Sequence, residues 1–138
     1  MAKTSALVLT LFGFALRLIQ LDAPSVGPAE AVNGLLARRP IAEAILLLAQ
    51  NARPPLYNIG LHLWAVTGQT DFALRLLSAL AGALTVSVVF ALARELFGGN
   101  RIPFVAALLI ALAPYQIANA QSAQATAWFG LTCAAASW

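Results

Sequence analysis

From Ile102 to Trp138 the chain carries no Asp, Glu, Lys or Arg, an uninterrupted run of 37 residues. About 20 apolar residues suffice to cross a bilayer core once, whereas a soluble domain has roughly a quarter of its residues charged. The rest of the 138-residue chain follows the same trend, with 9% charged and 61% hydrophobic residues overall. Eight basic and five acidic side chains are too few to hydrate the surface of a soluble globule of this length. Disorder is excluded with it, because a disordered chain needs little apolar content and much charge. The composition therefore predicts an all-α integral membrane protein with three to four transmembrane helices.

Uncharged runs place these spans at about 4–21, 72–97, 102–118 and 125–138, in a single membrane domain. Arg17 interrupts the first run one turn from its end, where its long stem is expected to snorkel toward headgroups. No small-x-small cleavage site follows, so the first segment is read as a retained span and not as a cleaved signal peptide. Ser78, Gly82 and Ser87 are small residues of the kind that let membrane helices approach closely. The third run is divided by Pro114 and by the polar group Asn119, Gln121, Ser122 and Gln124. These uncharged polar residues are expected to bridge helices by hydrogen bonds.

The segment 22–69 differs in kind. Pro24, Pro28, Pro40, Pro54 and Pro55 prevent any long helix. Short amphipathic pieces are expected at 29–38, 41–51 and 56–67, lying in the interface as one long first extracytoplasmic loop. The third piece is only about 18 Å long at 1.5 Å per residue, short of the ~30 Å hydrocarbon core.

A net charge of +3 does not imply nucleic acid, since the arginines are dispersed and form no stripe that could track phosphates. Positive-inside reasoning puts Lys3, Arg94 and Arg101 on the cytoplasmic side. The N-terminus is then cytoplasmic and the 22–69 loop extracytoplasmic, in a bacterial-type inner membrane. Cys133 is a single thiol without a disulfide partner in the chain, and no Cys/His spacing suggests a metal site. No cofactor is expected.

Several phrases carry a further reading: Leu16-Arg17-Leu18, Pro24-Ser25, Pro54-Pro55-Leu56-Tyr57, Leu61-His62-Leu63-Trp64, the stretch from Phe72 to Leu80, and Arg94-Glu95-Leu96-Phe97-Gly98. In this order and spacing they resemble the N-terminal part of GT-C membrane glycosyltransferases, in the branch of protein mannosyltransferases and lipid A aminoarabinose transferases. The resemblance implies transfer of a sugar from a polyprenyl-phosphate donor to an acceptor on the outer membrane face. It also implies an acidic general base and groups that stabilise the departing lipid phosphate.

Against the family pattern, three stations depart. The acidic pair after the first span reads Ala29-Glu30, leaving Glu30 alone as the candidate catalytic base. The His-Pro-Pro station reads Arg53-Pro54-Pro55. The Ser-Gln-Glu-Ala-Arg station reads Ala120-Gln121-Ser122-Ala123-Gln124. Arg38, Arg39 and Arg53 are candidate contacts for a lipid phosphate, with solvated headgroup contact as the alternative. The plain alternative for Glu30 is a water-facing residue that complements a helix dipole. His62 is read as structural, with ligation of a metal or a chlorophyll magnesium as the sharper alternative.

Two classes of function remain. One is a non-catalytic accessory subunit derived from a truncated GT-C glycosyltransferase, packed against other integral membrane subunits and membrane lipids, polyprenyl phosphate among them. The other is a fragment or split part of an active polyprenyl-phosphate-sugar-dependent glycosyltransferase. A pigment-associated subunit is a weaker third reading, resting on His62 alone.

Overall fold

A computed structural model describes residues 2–19, 21, 27–50, 56–65, 68 and 70–138. These form eight helices and no strand: α1 (Ala2–Leu18), α2 (Pro28–Ala37), α3 (Ile41–Gln50), α4 (Leu56–Trp64), α5 (Asp71–Phe97), α6 (Arg101–Leu112), α7 (Pro114–Ala120) and α8 (Thr126–Ala136). The all-helical expectation holds. The three short pieces expected between the first and second long segments are α2, α3 and α4.

The long helix α5 is the axis of the fold, with α1, α4, α6, α7 and α8 packed against it. Its start is defined by Thr70, whose hydroxyl accepts from the Ala73 amide at 3.2 Å, and by Asp71 in the first turn, favoured by the helix dipole. Its end is defined by Gly98, at φ 64°, a conformation that costs glycine little. Among the described residues α5 alone is long and apolar enough by itself to cross a membrane.

The 102–118 segment is not one straight helix. It is divided into α6 and α7, which meet at 58°. Pro114 is the cause: it has no N–H to offer Ile110, and its ring disfavours helical backbone at the preceding residue. Ala113 is accordingly extended, and Pro114 begins α7 at a position where the missing N–H is harmless.

Small residues form much of the buried surface. Ala79, Ala81 and Ala83 of α5 are buried, as are Ala107 and Ala111 of α6, Ala120 and Ala123. A Cβ at Gly82 would lie 2.7 Å from the Ala120 Cβ and 2.8 Å from Arg17 Nε. Glycine at this position is what allows α5, α7 and the Arg17 side chain to occupy the same crossing.

Arg17 departs from the expectation that it would snorkel. It is fully buried between α1, α5 and the end of α6. It donates to its own helix at Gly13 O (2.8 Å) and makes longer contacts to Ile110 O (3.4 Å) and Ala111 O (3.5 Å). The Ile110 carbonyl is the one that Pro114 leaves without a helical donor. A snorkelling side chain would forgo this, whereas the buried guanidinium supplies N–H groups where the proline removes one.

Candidate functional site

Glu30 sits in the first turn of α2, which Pro28 starts. Burial of the α2 face turns this carboxylate inward onto α5 and the turn that follows α7. Arg75 lies one turn into α5, so its guanidinium reaches the same point. Arg75 Nε donates to Glu30 Oε1 at 2.6 Å and Nη2 donates to Oε2 at 3.0 Å, a two-pronged ion pair. The Ala123 amide donates to Oε1 at 3.0 Å, and Arg75 Nη1 donates to Leu21 O at 2.7 Å. The side chains of Arg75 and Glu30 are only 1% and 9% exposed, so the pair belongs to the interior. The water-facing reading of Glu30 is thereby corrected.

Neighbouring polar groups extend the same junction. Asn33 Nδ2 donates to Ala123 O at 2.9 Å, and Ser78 Oγ donates to Gln124 O at 3.4 Å. Tyr57 shares a 3.4 Å contact with the Ser78 hydroxyl. Burial pushes the Tyr57 phenol up to about 12, and the negative charge of Glu30 adds to that rise while the Ser78 hydrogen bond opposes it. For Glu30, burial is the largest single influence and pushes its carboxyl up. The hydrogen bonds from Arg75 and the Ala123 amide, with the Arg75 charge and a backbone bond at Gly27, together outweigh it and hold the group below the usual carboxylate range.

This arrangement limits what Glu30 can do chemically. A general base works best with a pKa near the operating pH and a lone pair aimed at the acceptor hydroxyl. Both oxygens of Glu30 are engaged, and its proton affinity is lowered. What the geometry accomplishes is fastening: one carboxylate ties α2, α5 and the 121–125 turn together.

The other expected site residues are dispersed. Arg38 lines a cleft of about 290 Å³ with Glu30, Asp71, Leu74 and Ala123. Arg39, just before α3, is exposed and pairs with Glu43 in the first turn of that helix. Arg53, together with Pro54 and Pro55, lies outside the described residues. Ala120 and Ala123 are buried, and Gln121 Nε2 donates to Ile19 O at 2.8 Å, a bridge of the kind expected for the polar group after Pro114. His62 Nδ1 lies 3.0 Å from Ala37 O, which joins α4 to α2 and accords with a structural histidine. Among the described residues no group of three or more His, Cys, Asp or Glu side chains is placed to hold a metal.

The residue that sequence reasoning passed over is Arg75. It lies within the Phe72–Leu80 phrase that carries the family resemblance, although an ionisable side chain within a long apolar helix is itself a sign of a specific partner. Outside α5 the acid nearest to Arg75 in sequence is Glu43, not Glu30, so the choice of Glu30 as its partner was made by the fold.

The family model described as Dolichyl-phosphate-mannose-protein mannosyltransferase matches residues 52–138, which includes Arg75 and stops short of Glu30. No curated protein and no solved structure matches the chain. Since the match covers more than half of the sequence and agrees with the phrases from Pro54 to Gly98, the chain belongs to the dolichyl-phosphate-mannose-protein mannosyltransferase family of GT-C glycosyltransferases.

Proposed function

We propose that the chain is a non-catalytic accessory subunit of a membrane assembly, built on a GT-C glycosyltransferase framework whose chemistry has been lost. The observation that carries this reading is the state of Glu30. The acid that replaces the family's acidic pair is enclosed by Arg75 and the Ala123 amide, and its neighbour at the other position of the pair is Ala29.

A membrane setting is supported by the apolar side chains that face outward. Leu7, Val8 and Leu11 on α1, Leu84 on α5, and Val105 and Leu109 on α6 are each at least half exposed. Water would penalise such a surface, whereas lipid or an apolar partner helix covers it without cost. In the proposed orientation the start of α1 and the end of α5 face the cytoplasm, and α2, α3 and α4 lie on the outer face.

A second reading, a part of an active transferase, rests on the cleft where Glu30, Arg38 and Asp71 meet. Purification in mild detergent, followed by an assay of sugar transfer from a polyprenyl-phosphate donor, separates the two. The accessory reading expects a stoichiometric complex with other membrane proteins, none of them a glycosyltransferase, and no transfer. Transfer that is abolished by Glu30→Gln or Asp71→Asn, with helix content intact, overturns it.

A further inference from the structure

At the end of the bundle away from Glu30, α1 and α5 run antiparallel, with Thr10 Oγ1 and Ser87 Oγ 2.6 Å apart. Beyond that contact lies a cleft of about 460 Å³, floored by Ala6 and Phe90 and rimmed by Lys3, Arg94 and Glu95. A second cleft shares Lys3, Ala6 and Ser87 with it and continues along α1 past Leu7 and Leu11. The two clefts adjoin at these shared residues, and Lys3 and Arg94 both line the first. Glu95, the acidic residue on the rim, accepts a hydrogen bond from the Trp138 indole N–H.

We propose that this groove is a binding site for an anionic phospholipid with a glycerol-type headgroup. The assignment rests on the membrane reading above. Lys3 and Arg94 hold the phosphate between them, headgroup hydroxyls face the Glu95 carboxylate, and one acyl chain lies along Ala6, Leu7 and Leu11. Charge complementarity selects this occupant. Two cations against one carboxylate leave a net positive rim, which favours phosphate with no amine attached. The carboxylate itself is met by hydroxyl donors. The apolar continuation along α1 suits a hydrocarbon chain and offers little to a soluble anion. Both cations lie on the side that positive-inside reasoning makes cytoplasmic, where anionic lipids concentrate basic side chains.

The test reconstitutes the full chain in nanodiscs containing phosphatidylglycerol, phosphatidylethanolamine and phosphatidylcholine, and counts retained lipids by native mass spectrometry. Phosphatidylglycerol should be enriched over phosphatidylcholine. Lys3→Gln and Arg94→Gln should each reduce that enrichment about fivefold, as expected for one cation near a lipid surface. Arg101→Gln, at an exposed arginine on the same side that does not line the groove, should reduce it less than either of these. Equal retention of all three lipids, a preference for phosphatidylethanolamine, or an equal loss in Arg101→Gln overturns the assignment. Flotation with vesicles distinguishes the two levels. A chain that floats without enriching phosphatidylglycerol refutes the groove alone, and a chain that does not float refutes the membrane reading as well.

Discussion

Replacing Glu30 by Gln keeps its shape and removes its charge, and so isolates what the buried ion pair contributes. Arg75, 1% exposed at its side chain, would keep its bond to Leu21 O. Its Nε and Nη2 groups would face a neutral amide instead of a carboxylate. An exposed ion pair lost in this way would cost about 0–1 kcal/mol. A buried one that leaves its partner uncompensated costs about 3–5 kcal/mol. The 9% exposure of Glu30 lets some water relieve the stranded guanidinium, which places the expected loss near the lower end, at about 3 kcal/mol. Unfolding in mixed micelles of increasing dodecyl sulfate fraction, followed by circular dichroism, measures it. Arg75→Met completes a double-mutant cycle. The double variant removes both charges together, so it should be more stable than the two single losses predict, with a coupling of about 2 kcal/mol. A Glu30→Gln variant within about 1 kcal/mol of the parent, together with additive single losses, would refute the claim that this pair fastens α2 to α5.

Three further outcomes concern the same ion pair and the close approach at Gly82. Because the folded chain holds the Glu30 carboxyl below its ordinary range, the unfolded state takes up the proton first as pH falls. The stability advantage of the parent over Glu30→Gln should be constant above the unfolded carboxylate pKa of about 4.3 and should shrink as pH falls through the lower folded value; an advantage that grows with acidity contradicts this. Gly82→Ala should destabilise by about 1–3 kcal/mol, since the added methyl meets the Ala120 Cβ at 2.7 Å and a Cβ cannot rotate away. Gly130→Ala, with nothing within 4 Å of the new methyl, should be neutral or stabilising by up to about 1 kcal/mol, and equal effects at the two sites would contradict the proposed close approach.

Much of the architecture was legible because helix limits are set by local chemistry. The prolines divided the 22–69 segment into short pieces, and the span expected at 72–97 is α5 within one residue. Pro114 was visible as one of the residues dividing the uncharged run, yet the expected 102–118 span runs through it, and neither the break at Ala113 nor its 58° angle was legible. An angle depends on what packs on each side of the break, and here that is Arg17 and the small residues of α5. Arg17 itself was misread because a lone arginine near the end of an apolar run has two ways to meet its needs. It can reach water or find carbonyl oxygens, and its own neighbours in sequence do not distinguish these.

By itself, then, the sequence determined an all-helical chain, the approximate limits of its helices and the family to which it belongs, because apolar runs, prolines and short phrases act over a few residues. Only the tertiary structure decided the condition of its ionisable groups. Glu30 and Arg75 are 45 residues apart in sequence, and the Ala123 amide is 93 residues from Glu30. Whether such a carboxylate is a reactive base or a buried fastener depends on the donors that folding brings around it and on the water it excludes.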